Sequence, residues 1–241
     1  MFSSSPTTNP TPFQFLRDRK FDVDETISKL TKYLAWRSKV RPHLLSPSDI
    51  SREASTGKAF LHSRRDSLGR PAVVIRCAKH VIGEFPLESS VRLASYVLEK
   101  AVAELKEEEG GEGEGSGESD DDRSVSPLST SSSSSSSLSS ASSSSSSADN
   151  DVETLLGIFD LRGFGPRNAD LSFARFLVDA CFLYYPRRLG AVLFVDAPWA
   201  FKPVWAVVKP LLRKYGALVR FVGAEEVKKV YFAEGEAPPG F

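Results

Sequence analysis

The sequence is poor in the residues that usually build reactive centres: 2 cysteines, 3 histidines and 1 methionine among 241 residues. Cys77 and Cys181 lie far apart in apolar contexts, so neither a disulfide framework nor a cysteine-based metal cluster is implied. His43, His62 and His80 show no ligand spacing, and no metal site or catalytic histidine is expected. No apolar run reaches the roughly 18 residues of a transmembrane span. The opening stretch, MFSSSPTTNPTP, lacks a basic region and an apolar core, so no signal peptide is expected and a reducing, cytoplasmic setting is the default. Net charge is missing too, with 31 basic against 31 acidic side chains. That zero hides an asymmetry. Residues 107–151 hold 11 acidic residues and 1 basic residue, leaving 30 basic against 20 acidic elsewhere.

What is present is a basic body interrupted by an acidic, Ser-rich insert. With 41% hydrophobic and 10% aromatic residues, the body can form a core, which excludes a fully disordered chain. Residues 1–12 read as a disordered tail. The insert at 107–151 cannot bury enough apolar surface to offset its ordering entropy, and it reads as a long disordered loop inside one domain. Within it, Ser119 before three aspartates and Ser126 before Pro127 suit acid-directed and proline-directed kinases. Added phosphate would oppose contact with anionic lipids. A neutral low-complexity expansion is the other reading.

The body alternates. Asp22, with Glu25 three residues on, predicts a helix start, and Pro42 predicts its end near Val40. Val23, Ile27, Leu30 and Leu34, extended by Trp36, recur at helical spacing and are expected to face the core. Two β-rich runs, 58–62 and 72–76, flank an Asp- and Gly-containing turn. A helix is expected over 86–105, with Val91, Ala94, Leu98, Ala101 and Leu105 on one stripe. Then come a strand at 154–161, a helix at 171–185 that is apolar nearly all round, and a strand at 191–196. A helix at 201–214, a strand at 217–222 and a short helix at 225–232 complete the series. This predicts an α/β fold with a mostly parallel sheet.

No enzyme template fits, and no enzymatic activity is expected. The Gly-rich run 110–117 follows no strand, and its glutamates would repel phosphate. Asp160 and Asp196 end strands, where open α/β sheets place chemistry. No nucleophile accompanies them, so Asp160 is read as accepting loop amides and Asp196 as capping the helix after Pro198. The stretch DAPWAFKPVWAVVKPLL is more informative. Lys202 and Lys209 are almost its only charges. It is either a core helix covered on both faces or a helix with one face on the protein and the other on a ligand or bilayer. The residues alone leave both open.

Four segments resemble one family. FLRDRKFDVDETISKLTKYLAWR (15–37) is similar to the N-terminal helical motif of CRAL-TRIO lipid-binding proteins, which include secretory phosphatidylinositol/phosphatidylcholine transfer proteins. Asp66-x-x-Gly69-Arg70-Pro71 with AVVIR resembles the family hairpin, and IFDLRGFG its following strand end. YYPRRLGAVLFVDAPWAFKPVWAVVKPLL resembles its gate block. The resemblance implies a helical N-lobe at 13–55 and a lipid-binding domain at 56–241, interrupted by the insert. It also implies an apolar cavity floored by the sheet and closed by a gate helix. Phe159, Phe194, Phe201, Val204, Trp205, Val208, Leu212 and Phe221 are the implied cavity and gate residues. Arg19 and Arg187 are the candidates for a head-group phosphate, Arg187 standing where phosphatidylinositol-transferring members carry an acidic residue. Other head-group positions fall on Leu155, Gly157, Cys181, Gly216 and Val219, which leaves room for a sterol, isoprenoid or neutral lipid. The implied function is binding a lipid and transferring or presenting it at membrane surfaces. It needs no cofactor beyond the lipid ligand, and the expected partners are anionic membranes rather than nucleic acid. The alternative is a non-transferring lipid-sensing or protein-interaction module that kept the fold.

Overall fold

Five strands form one sheet in sequence order. The computed structural model describes residues 11–105 and 153–241. The acidic insert, with its candidate phosphorylation sites, and residues 1–10 lie outside them.

The chain enters through α1 (Pro12–Asp18), where Thr11 and Gln14 cap each other reciprocally. Helix α2 spans Val23–Val40. The Asp22 carboxylate accepts the Glu25 N–H at 2.9 Å, and the helix ends on left-handed Arg41 before Pro42. Its buried face keeps Trp36 and, in part, Leu30 from the expected stripe, but otherwise differs from it. Thr26, Lys29, Tyr33 and Arg37 turn inward, whereas Val23, Ile27 and Leu34 are exposed. Buried ion pairs explain the shift. Lys29 Nζ reaches Asp18 at 2.6 Å, and Arg37 reaches Glu99 at 2.7 Å.

After α3 (Pro47–Ala54), β1 (Ala59–Arg65) and β2 (Pro71–Arg76) form an antiparallel hairpin. Asp66 organises its turn, accepting Leu68 N–H and Arg70 N–H and pairing with the Arg70 guanidinium, while Gly69 takes φ 77°. From β2 onward the sheet is parallel through β3 (Leu155–Asp160), β4 (Leu189–Val195) and β5 (Val219–Val222). The crossovers carry α4 (Leu87–Glu104), α5 (Leu171–Asp179) and α6 (Lys202–Leu212). Residues of all three helices cluster with Val73, Val192 and Phe194, on one face of the sheet, as sequential parallel strands joined by crossovers of one hand require. Helix α5 runs on as a π-helical turn over Ala180–Tyr184, and 3₁₀ turns flank α6 at Trp199–Phe201 and Arg213–Leu218.

Strand alternation gives the sheet two apolar faces. Val74, Leu156, Ile158, Leu193 and Val195 pack against Val227, Tyr231 and Phe232, from the segment after α7 (Ala224–Glu226). Val73, Phe159, Val192 and Phe194 turn the other way, toward α4, α5 and α6.

Candidate functional site

The helix-covered face is not filled. A cavity with an empty volume of about 800 Å³, mouth included, lies between the sheet, α5 and α6. Ile75, Phe159, Val192, Phe194 and Val219 form its floor. Phe173, Ala174, Leu177, Val178, Cys181 and Phe182 line it from α5 and its π turn, and Phe201, Val204, Val208 and Leu212 from the α6 segment. The last three recur every fourth residue, the helical spacing that gathers side chains on one face. A second, tighter chamber lies under α4 against Leu93, Ala94, Val97 and Leu98, with Val73 and Gly157 on its floor.

Of the residues implied by sequence, Phe159, Phe194, Phe201, Val204, Val208 and Leu212 line the first chamber. Trp205 and Phe221 do not. Trp205 follows Val204 by one residue, so the helical turn carries it off the lining face. It packs edge-on against Phe194 and Phe221 at centroid distances of 5.5 and 5.1 Å. Phe221 shares the floor's strand face, but β5 is the sheet edge and leaves it 51% exposed.

Sequence reasoning missed the α5 wall and His80. The wall had a signal, because a helix apolar nearly all round must be covered on two sides. His80 had none, since its partners come from distant segments. Its ring stacks on Phe173 at 4.5 Å, and Lys58 Nζ and Asp170 Oδ2 each lie 3.2 Å from its two nitrogens. Lys58 also pairs with buried Glu53 and contacts Ser90 Oγ at 3.1 Å. Burial, then the Lys58 charge, hold the His80 imidazole below its ordinary pKa. At neutral pH its Nδ1 therefore accepts from Lys58 and its Nε2–H donates to Asp170. Both nitrogens are spent on protein partners. Burial pushes the Cys77 and Cys181 thiols up to about 12, so the lining offers no thiolate nucleophile.

At the far end of α6 a buried carboxylate gathers several groups. Asp18 accepts Lys29 Nζ at 2.6 Å and the Tyr215 hydroxyl at 2.5 Å, and Lys214 Nζ stands 3.2 Å away. Lys29 Nζ also donates to the Phe182 carbonyl at 2.7 Å. Burial alone would raise the Asp18 pKa, but hydrogen bonds from Lys29 and Tyr215 outweigh it and hold the carboxyl below its usual range. Burial brings Lys29 down to about 8 despite Asp18. This cluster ties α1 and α2 to the turn after α6 and to the end of α5. Arg19 borders it, 3.4 Å from Asp18 and 3.5 Å from Glu25. Arg187 is exposed in left-handed backbone at φ 63°. Both arginines lie near enough to Tyr215 for their charges to act on its hydroxyl.

The strand-end carboxylates do not form a pair. Asp160 accepts Arg162 N–H at 3.1 Å and clasps the Arg162 guanidinium at 2.7 and 2.8 Å. Asp196 does not cap the helix after Pro198. Its Oδ2 accepts Ala224 N–H at 3.3 Å, because left-handed backbone at Asp196 turns the side chain toward α7.

The outward side of α6 carries Lys202, Ala206, Val207, Lys209 and Leu211, all exposed, and Trp199 just before it is 79% exposed. Among the described residues, no helix is long and apolar enough to cross a membrane, and no cluster of His, Cys, Asp and Glu is placed to hold a metal ion.

Comparison with known proteins agrees with this geometry. The CRAL/TRIO domain model matches residues 54–115 and 140–230. A CRAL-TRIO domain-containing protein of Schizosaccharomyces pombe is 24% identical over 90% of this chain and 44% of its own length. The phosphatidylinositol transfer protein CSR1 of Eremothecium gossypii is 39% identical over 24% of this chain and 13% of its own length. The chain thus spans less than half the length of either curated relative. The crystal structure of Sfh5 superposes with a TM-score of 0.58 at 12% identity, covering 90% of this chain and 65% of that one, which supports the fold. The family model matches more than half of the chain, and this chain belongs to the CRAL/TRIO domain family.

Proposed function

We propose that this chain holds an apolar lipid between the sheet and α6 and transfers or presents it at a membrane surface. The observation that carries this reading is the first chamber itself. It is walled by aromatic and aliphatic side chains and roofed by a helix whose opposite side is also largely apolar. Each buried methylene is worth about 0.8 kcal/mol, so lipid leaves a bilayer readily only for a site that replaces most of that environment. Membership of a lipid-binding family, and the name of the Eremothecium relative, point the same way.

In this reading α6 is the gate. Its roof side, Val204, Val208 and Leu212, seals the cargo. Its outer side meets the bilayer, with Trp199 at the interface and Lys202 and Lys209 toward anionic head groups. Pro210 inside α6 removes a backbone donor and the 3₁₀ turns at both ends supply bending points, so the segment can swing without unfolding. The Asp18 cluster restrains the distal turn through Lys214 and Tyr215. Any polar group of the cargo lies at the rim, where Arg19 and Arg187 flank Tyr215. Residues 13–55 act as the supporting lobe and 56–241 as the lipid-binding unit. The chain works as a peripheral protein on the cytoplasmic side of anionic membranes.

Transfer of apolar and phospholipid probes between donor and acceptor vesicles tests the reading. The native chain should accelerate transfer of at least one probe, and Val204→Trp should abolish the acceleration. Transfer at the spontaneous rate for every probe would reject it.

A further inference from the structure

The two chambers meet at a partition. Ile75, His80, Phe159, Phe173, Leu177 and Cys181 line both. The two rings in that wall are held differently. Phe173 is buried and stacked on His80, which Lys58 and Asp170 hold from both sides. Phe159 is only half-buried and touches Phe194 edge-on at 5.3 Å. Gly157, two residues earlier on the same strand face, has no side chain, and neighbours take up the room: a Cβ there would lie 3.7 Å from Phe159 Cε2 and 3.6 Å from Leu189 Cδ2, which is ordinary contact. The Phe159 ring therefore rests beside bare backbone on its own strand, without the polar bracing that holds Phe173 through His80.

We propose that Phe159 is a length-selecting residue. With its ring in place, a hydrocarbon tail ends in the chamber under α6. A longer tail must displace the ring to enter the chamber under α4. The chemistry of the partition narrows what passes it to hydrocarbon. His80 has both nitrogens engaged, the Cys181 thiol is protonated, and the other residues of the partition are hydrocarbon. Nothing in the passage rewards a polar group, and an unpaired one would lose its hydration there. This inference rests on the reading that the cavity holds lipid.

The test uses the full chain and competing isoprenoid hydrocarbons of about 15 and about 30 carbons, whose burial energy grows with each added carbon. Retained probe is counted by mass spectrometry. The native chain should favour the shorter probe, relative to partition into vesicles, and Phe159→Ala should move the ratio toward the longer one by about tenfold. Val97→Phe narrows the space under α4 from the helix side instead, without touching the first chamber's lining, and should move the ratio about tenfold the other way from Phe159→Ala. It keeps the proposal testable if Phe159→Ala folds poorly. If the native chain retains neither probe, the lipid reading itself fails. If probes are retained but neither substitution moves the ratio, the partition fails and the lipid reading stands. Recovery of a two-chain lipid as the tighter ligand, one chain in each chamber, would also overturn the length-selecting role.

Discussion

The two faces of the sheet carry similar side chains in the same alternation and meet different neighbours. On one face Leu156, Ile158, Leu193 and Val195 are sealed by the chain's own C-terminal segment, through Val227, Tyr231 and Phe232. On the other, Phe159, Val192 and Phe194 look into open volume beneath α5 and α6. A strand sequence shows that a face is apolar. Whether protein or ligand covers it depends on how far the crossing helices stand off, and side chains at both ends of those helices set that distance. The filled face should therefore carry stability, and the open face binding.

Leu193→Ala is expected to have the largest effect. It removes a fully buried side chain from a packed layer and should cost about 4 kcal/mol in urea unfolding. Phe159→Ala, although it removes more atoms, should cost less than about 2 kcal/mol, because the ring borders space already empty. Equal losses would break the comparison.

Asp18→Asn comes next. It strips charge compensation from buried Lys29 and should cost about 3 kcal/mol. The Asp18 pKa is depressed in the folded chain, so its contribution is whole above the ordinary carboxylate range and is lost as pH falls through the folded value. The native chain should lose stability over that acid range, and Asp18→Asn should flatten the loss. Because the cluster restrains the turn after α6, the same variant should speed lipid exchange in a stopped-flow transfer assay.

Val208→Trp sharpens the contrast from the open side. Extra volume in a packed core usually costs about 1–3 kcal/mol, whereas here the indole enters open space and should leave stability within about 1 kcal/mol while blocking cargo. The smallest effect belongs to the outer side of α6. Lys202→Glu and Lys209→Glu should each weaken binding to anionic vesicles by about fivefold at low salt and leave unfolding unchanged.

Much of the fold was legible from the residues. β-Rich and continuous apolar runs marked β1 to β5, and the Asp22 cap and Pro42 marked both ends of α2. The buried face of α2 was not, because Lys29 and Arg37 turn inward only when Asp18 and Glu99 arrive from other helices. A count of apolar spacing favoured Val23, Ile27 and Leu34 instead. At the site, the residues alone left α6 open between a core helix and a ligand-facing one, and the family resemblance supplied its gate residues. Trp205 lies on that helix but off the lining face, because aromatic character alone does not say which side of a crowded helix a ring takes. His80 was missed because its place in the wall depends on stacking with Phe173 and on Lys58 and Asp170, none of which spacing reveals.

The central claim is that open volume on one face of the sheet is there for a lipid. Mass spectrometry of the purified native chain under non-denaturing conditions tests it most directly. The account predicts a protein carrying one apolar lipid after incubation with membrane vesicles, and a Val208→Trp variant that remains empty. A native chain that emerges empty from vesicles of every composition tried, or a variant loaded as fully as the native chain, would contradict it.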